Sequence, residues 1–231
     1  LTSTLSSVID EVGRHLNKSD PVTGVSTGLK DLDAIPGGLQ PGELVVLVGR
    51  PSMGKTALAI GMATAALETG EGIVQLYSLE MPAKDIIYRL LAQLGHLNAN
   101  RLKKGQLVDD DWTALTAGVA KLQQYESRLA LDDTATLTPS TLRAKCRRAA
   151  RKSVGVKTRL ILVDYLQLMR MEGQRENRNL EITEISRALK ALAKEFSCPV
   201  VALSQLNRSL EQRPNKRPVN ADLRESGAIE Q

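Results

Sequence analysis

The segment at residues 49–56 reads GRPSMGKT and has the glycine, lysine and threonine spacing of a phosphate-binding loop. It follows an apolar run at residues 44–48 and leads into a helix-forming run at residues 56–67. Glycines here let the backbone curl so that successive N–H groups point at a phosphate chain. In such loops the lysine reaches the β- and γ-phosphates of a nucleotide, and the threonine hydroxyl holds Mg²⁺. We therefore expect ATP contacts from Gly49, Arg50, Pro51, Ser52, Met53, Gly54, Lys55 and Thr56.

Three polar residues follow strand-like apolar runs elsewhere in the chain: Glu80, Asp164 and Gln205. Ligands of open parallel sheets lie beyond the carboxyl ends of the strands, so these residues are expected beside the loop. We predict that Asp164 supports Mg²⁺ and that Glu80 is the general base that orients and deprotonates water. Gln205 would contact the γ-phosphate and report its loss. A turn former or helix cap is the alternative for the two acidic residues, and the phosphate-binding loop favours the functional interpretation of all three.

The pattern around these residues predicts an α/β fold in which strands and helices alternate. The predicted strands are residues 43–48, 73–78, 129–131, 159–163 and 199–203, and the predicted helices are residues 56–67, 82–94, 109–125, 139–152 and 180–196. Pro82 suits the first turn of its helix, while Thr138 and Pro139 suit the N-cap and first position of theirs. The sheet should be mostly parallel and doubly wound, with helices on both faces.

Residues 1–17 carry apolar side chains at helical spacing and predict a short amphipathic helix ahead of the domain. A polar break at residues 17–21 ends it. Its apolar stripe must dock either on its own domain or on a neighbouring subunit, and the spacing leaves both possibilities open. Residues 18–231 are predicted to form a single domain.

The composition is that of an ordinary globular protein, with 42% hydrophobic and 25% charged residues among 231. No apolar run approaches the roughly 20 residues of a membrane span, and the first ten residues do not resemble a signal peptide. Cys146 and Cys198 are far apart and predict reduced thiols in a cytosolic protein. His15 and His96 are isolated, so no metal-ligand spacing is present.

The net charge of +5 allows a polyanionic partner without requiring one. The predicted helix at residues 139–152 is strongly basic, yet it contains no aromatic residues that could stack on bases, which favours a solvated outer face. The segments at residues 171–178 and 207–220 are better nucleic-acid candidates because they follow the strands that end near Asp164 and Gln205. Movement at Gln205 would shift the second segment.

Several longer motifs resemble one family. The entry region, with GGLQPGE at residues 37–43, is similar to that of RecA-like hexameric ATPases. Narrower matches are RPSMGKT at residues 50–56, SLEM at 78–81, VDYLQLM at 163–169, SQLNR at 204–208 and DLRESG at 222–227. Together they resemble the RecA-like motor domain of DnaB-type replicative DNA helicases over the whole chain.

The resemblance implies a homohexameric ring that hydrolyses ATP between subunits, translocates 5′ to 3′ on single-stranded DNA and unwinds the replication fork. It implies the phosphate, water and sensor roles already given, and adds Arg89 as an arginine near the phosphates. Arg224, Glu225 and Gly227 match the family's DNA-binding loop in the central channel, which suits a backbone-tracking grip. The first helix matches a linker helix that packs on the next subunit. Primase and a helicase loader are the implied partners, and the implied location is the cytoplasm.

The chain departs from the family pattern at both ends. Against the family pattern, we expect the N-terminal collar domain to be absent from this chain and the motor domain to continue past Gln231 with an arginine finger and a lysine. Such a finger is worth about 10³–10⁵ in rate, so a protein that ended at Gln231 is expected to bind ATP but hydrolyse it poorly. The alternatives are a RadA-type recombination factor, a KaiC-like ATPase, or a subunit that binds ATP only to assemble. Intact Glu80 and Asp164 argue against the last.

Overall fold

The structure, a computed structural model, describes residues 22–152, 155–171 and 178–206, together with Leu5 and Gly13. Leu5 and Gly13 are both helical, and the remainder of the predicted first helix lies outside the described residues. None of the helices in the described ranges combines the length and apolarity that a membrane crossing requires.

Five parallel strands form the central sheet in the described part of the chain. They are β1 (Leu44–Gly49), β2 (Ile73–Ser78), β3 (Leu129–Asp132), β4 (Thr158–Asp164) and β5 (Val200–Gln205). Their order across the sheet is β1-β5-β4-β2-β3. The parallel α/β sheet that the sequence predicted is therefore confirmed, and each predicted strand is present within one or two residues at its ends.

Seven helices connect or precede these strands within the described ranges. They are α1 (Lys30–Asp33), α2 (Lys55–Glu68), α3 (Ala83–Leu94), α4 (Ala99–Lys104), α5 (Asp109–Gln124), α6 (Pro139–Lys152) and α7 (Arg178–Phe196). A short 3-10 turn, Leu166–Leu168, follows β4. The sequence prediction missed α1 and α4. It also placed Pro82 inside α3, whereas Pro82 is the N-cap, with an extended ψ of 149°.

The central strands are buried on both faces because helices cover the sheet on each side. Leu160 and Leu162 of β4 pack into a cluster with α2 and α3, while Ile161 and Val163 point the other way, toward α6 and α7. This alternation explains why β4 contains an uninterrupted apolar run. The two layers fix the carboxyl ends of β1, β2, β4 and β5 at one edge of the sheet.

The basic helix α6 is held to its neighbours by carboxylates. Arg143 and Arg147 both contact Glu195 of α7, at 2.5 and 2.7 Å, and Lys145 pairs with Asp132 of β3. These pairs engage three of the six basic residues of α6 in contacts within the domain. Cys146 of the same helix and Cys198 are buried free thiols, and burial raises the pKa of each to about 12.

Candidate nucleotide-binding site

The loop between β1 and α2 has the backbone shape that its glycines predict. Gly54 forms the N-cap of α2 with a φ of 86°, a left-handed value that glycine adopts at little cost, and no side chain caps the helix. Gly49 closes the other end, where an added Cβ would lie 3.3 Å from Cγ of Lys55. The start of α2 therefore presents its first-turn N–H groups at the loop, in the arrangement that binds phosphate.

Lys55 lies across this loop. Its ammonium donates to the carbonyl oxygens of Gly49 and Arg50, both at 2.8 Å. Burial lowers the pKa of Lys55, whereas the nearby charges of Asp164 and Glu80 raise it. The lysine charge is thus placed between the phosphate-binding loop and the two acidic residues that the sequence selected.

Thr56 and Asp164 are in direct contact. The Thr56 hydroxyl donates to Oδ2 of Asp164 at 2.8 Å, although the two residues are 108 positions apart in sequence. Burial raises the pKa of the Asp164 carboxyl, and the Thr56 hydrogen bond and the charges of Lys55 and Arg89 oppose that rise. The predicted strand-end geometry is therefore observed for these residues.

This oxygen pair suits Mg²⁺. The ion prefers hard oxygen ligands and is commonly bound by one or two carboxylates together with substrate phosphates. Within the described residues, no group of three or more His, Cys, Asp or Glu side chains could hold a metal by itself. A hydroxyl and a carboxylate beside a phosphate-binding loop are the donor set expected when phosphates supply the remaining ligands.

Glu80 lies in a tight turn directly after β2. Ser78 shapes the turn, because its Oγ donates to the carbonyl of Met81 at 2.8 Å and accepts from the Met81 N–H at 3.0 Å. The Leu79 N–H donates to the carbonyl of Asp164 at 2.6 Å and fixes the turn against β4. Glu80 itself is exposed, as a residue that must meet water would be.

Arg89 and Gln205 complete the set of described candidates. Arg89 is exposed on α3, close enough for its charge to lower the pKa of Asp164. Gln205 ends β5 and pairs in register with Gly49, the first residue of the loop. The amide of Gln167 holds the backbone of Gln205, with its Nε2 3.2 Å from the carbonyl and its Oε1 3.3 Å from the N–H.

The predicted DNA contacts Arg224, Glu225 and Gly227 lie outside the described residues, as do residues 172–177 and 207–220 of the two candidate loops. Conversely, Ser78 and Gln167 make contacts in the structure that were not predicted from the sequence. Both belong to the motifs at residues 78–81 and 163–169, next to predicted strand exits. A hydroxyl or amide so close to a strand exit was the available signal for a residue that positions its neighbours.

A phosphate-binding loop, a hydroxyl–carboxylate pair suited to Mg²⁺ and an acidic turn on one edge of a parallel sheet define the class of P-loop nucleotide-binding domains. Comparison with known sequences identifies the family more narrowly. Residues 24–231 match the family described as DnaB-like helicase C terminal domain. The chain belongs to this family.

Individual relatives agree with that assignment. The replicative DNA helicase DnaB of Buchnera aphidicola subsp. Schizaphis graminum is 47% identical over 232 residues, covering 98% of this chain and 49% of that protein. The Geobacillus stearothermophilus replicative DNA helicase DnaB is 43% identical over 225 residues, covering 96% and 48%. The chain thus spans about half the length of the curated relatives it matches.

Solved structures show the same fold. One of them, described as an ATPase domain, superimposes with a TM-score of 0.90 at 35% identity, covering 99% of this chain and 79% of that one. A DnaB-like replicative helicase, described with its interactions with primase, has a TM-score of 0.87 at 34% identity, covering 100% and 54%.

Proposed function

We propose that this chain is the ATP-hydrolysing motor of a replicative DNA helicase. The observation that carries the proposal is the hydrogen bond between Thr56 and Asp164 beside Lys55. This contact places a carboxylate suited to binding Mg²⁺ next to the phosphate-binding loop. Family membership supports a helicase over a RadA-type or KaiC-like ATPase, since the match covers residues 24–231. Relatives with similar sequences are named replicative DNA helicases.

Each residue of the site has a defined task in ATP hydrolysis. Lys55 and the N–H groups at the start of α2 would bind the phosphates, while Thr56 and Asp164 would hold Mg²⁺. The ion would neutralise phosphate charge as it develops. Glu80, exposed at the strand edge, would orient a water molecule and accept its proton. Arg89 would add positive charge near the phosphates.

Gln205 would respond to the γ-phosphate. Its strand pairs with β1 in register at Gly49. In this proposal a shift at Gln205 would therefore move the phosphate-binding loop and the segment after β5. That continuity supports coupling between nucleotide state and a DNA-binding segment. In this proposal Arg224, Glu225 and Gly227 contact the DNA backbone, and sequence-independent contacts of this kind suit a translocating motor.

The assembly follows from the same proposal. The motor would act as a homohexameric ring on single-stranded DNA in the cytoplasm, with the helix at residues 1–17 packed on the neighbouring subunit. Primase is a reasonable partner because a similar solved helicase is described with its interactions with primase. A helicase loader would place the ring on DNA.

Polarity of unwinding tests the proposal. At its natural length, the protein should unwind a fork with a free 5′ tail on the translocating strand and fail when only a 3′ tail is present. Arg224→Ala should weaken binding to single-stranded DNA and DNA stimulation of hydrolysis, while nucleotide affinity stays unchanged. Unwinding from a 3′ tail would contradict the proposed direction, and a loss of ATP affinity alone in Arg224→Ala would contradict the channel role.

A further inference from the structure

The ladder between β4 and β5 ends before the catalytic edge of the sheet. The two strands pair in register at Val163 and Ala202 and no further, whereas β5 continues to Gln205. After Asp164 the chain leaves β4 and folds into the 3-10 turn that contains Gln167. On its other side β5 remains paired with β1 as far as Gly49.

The side chain of Gln167 fills the place where the β4 ladder is missing. Its Nε2 donates to Oγ of Ser204 at 2.8 Å and to the carbonyl of Gln205 at 3.2 Å, and its Oε1 accepts from the Gln205 N–H at 3.3 Å. A carboxamide carries the same donor and acceptor as a peptide group, so it can bond a strand as a neighbouring strand would.

We infer that Gln167 is a positioning residue that sets Gln205 relative to Asp164. Gln167 lies three residues after Asp164, and backbone hydrogen bonds from Leu168 to Tyr165 and from Met169 to Leu166 fix its turn. One short rigid segment therefore joins the residue proposed to support Mg²⁺ to the residue proposed to sense the γ-phosphate. The inference rests on the proposed function of Gln205.

The hydrogen bonds from Gln167 hold the backbone of the proposed sensor, Gln205. The backbone N–H and carbonyl of Gln205 are both held by the amide of Gln167, so these bonds fix the strand end without engaging the Gln205 side chain. Ser204 is buried, with 1% of its surface exposed, and its hydroxyl anchors the same amide. Loss of the amide should loosen the sensor without removing any group proposed to touch phosphate or metal.

Nucleotide preference tests the inference. Gln167→Met keeps the length of the side chain and removes its hydrogen bonds. We expect this variant, made in the full-length protein, to lose about tenfold in its preference for a non-hydrolysable ATP analogue over ADP. A change of that size needs only part of the free energy of the three lost hydrogen bonds to act on the preference. Its ADP affinity should change less than about twofold. Gln124→Met, an exposed glutamine on α5, is the matched control and should keep the full preference.

A parallel variant separates this inference from the function on which it rests. Gln205→Met should lose the same preference directly. If Gln205→Met loses it and a folded Gln167→Met keeps it, Gln205 remains a sensor and the positioning role is overturned. If both variants keep it, the sensor role fails and the inference fails with it. Lower thermal stability of Gln167→Met with the preference intact would indicate a purely structural contact and also overturn the inference.

Gln167→Glu provides a second variant in case Gln167→Met does not fold. The glutamate keeps an acceptor for the Gln205 N–H and loses the donor to the Gln205 carbonyl. Its ATP-analogue preference should therefore fall between those of the parent and Gln205→Met. A preference equal to that of the parent would count against the inference.

Discussion

The hydroxyl of Thr56 donates a 2.8 Å hydrogen bond to the carboxylate of Asp164, and this contact joins the start of α2 to the end of β4. It brings together two oxygen ligands from segments 108 residues apart. Asp164 is buried, with 6% of its surface exposed, so the bond also satisfies a carboxylate that would otherwise be costly to bury.

Thr56→Val keeps the shape of the side chain and removes the hydroxyl. We expect Mg²⁺-dependent binding of ATP to be lost, because one of the two proposed ligands is gone. The buried acceptor left on Asp164 should also lower the free energy of unfolding by about 1–3 kcal/mol. Titration with a fluorescent ATP analogue, with and without Mg²⁺, measures the first effect. Thr56→Ser retains the hydroxyl and should bind as the parent does; equal loss in both variants would contradict the ligand role.

Ser78→Ala should impair hydrolysis more than binding. The Ser78 hydroxyl closes the turn that presents Glu80, and its loss frees both the N–H and the carbonyl of Met81. We expect kcat for ATP to fall about tenfold while KM changes little, as for a group that matters mainly in the transition state. Ser186→Ala is the matched control, because Ser186 is also buried yet its hydroxyl has no hydrogen-bond partner within the described part of the chain. A parent-like kcat in Ser78→Ala would show that the turn does not position the base.

Gly54→Ala and Gly105→Ala form a second matched pair. Both glycines have positive φ, 86° and 67°, and an added Cβ would meet no described atom within 4 Å at either site. Each substitution should therefore cost about 1–2 kcal/mol of stability through backbone conformation alone. Only Gly54→Ala should also weaken ATP binding, because only Gly54 belongs to the phosphate-binding loop. Equal nucleotide affinity in the two variants, measured at a temperature where both are folded, would contradict the assignment of the loop.

Asp33 should make the stability of the domain sensitive to acid. Burial alone would raise the pKa of Asp33, but hydrogen bonds from the Thr27 hydroxyl and N–H and from the Ser26 hydroxyl bring it below its usual value. The folded state therefore binds this proton less readily than the unfolded state. The stabilisation is present above the usual carboxyl pKa and is lost as the pH falls through the lowered value.

Denaturant unfolding across that pH range measures the effect of Asp33. Asp33→Asn should unfold at lower denaturant than the parent at pH 7, and the difference should shrink as the pH falls and the parent carboxylate becomes protonated. A difference that is constant from pH 7 to the acid limit would show that the charge on Asp33 is not the source of the stabilisation.

The elements of the candidate nucleotide-binding site were predictable because local signals agree there. An apolar run, a glycine loop and a helix-forming run specify β1, the loop and α2 without any distant contact. The N-cap of α6 was also predictable from the sequence. The Thr138 hydroxyl accepts a hydrogen bond from the N–H of Thr141 at 3.2 Å, three residues further along the chain. Parallel topology then placed Asp164 beside Thr56, as the strand-end argument required.

The missed features depend on signals that are short or non-local. Helix α4 has only six residues, yet Asn98 caps it through bonds to Asn100 and Arg101, and Gly105 ends it in a left-handed conformation. Those residues were visible in the sequence, but so short a segment shows no helical periodicity. The bonds of Gln167 to β5 could not be predicted, because they form only where two strands that are distant in sequence have stopped pairing.

The central claim, that this edge of the sheet hydrolyses ATP with Glu80 as the base, is tested most directly by Glu80→Gln. Glu71→Gln is the control, since Glu71 is exposed just before the opposite end of β2. In the protein at its natural length, with single-stranded DNA present, we expect ATP hydrolysis by Glu80→Gln to fall at least about 100-fold, the usual contribution of a general base. Its affinity for ATP should stay at the parent level, and Glu71→Gln should behave as the parent does. Hydrolysis by Glu80→Gln at the rate of Glu71→Gln would contradict the account.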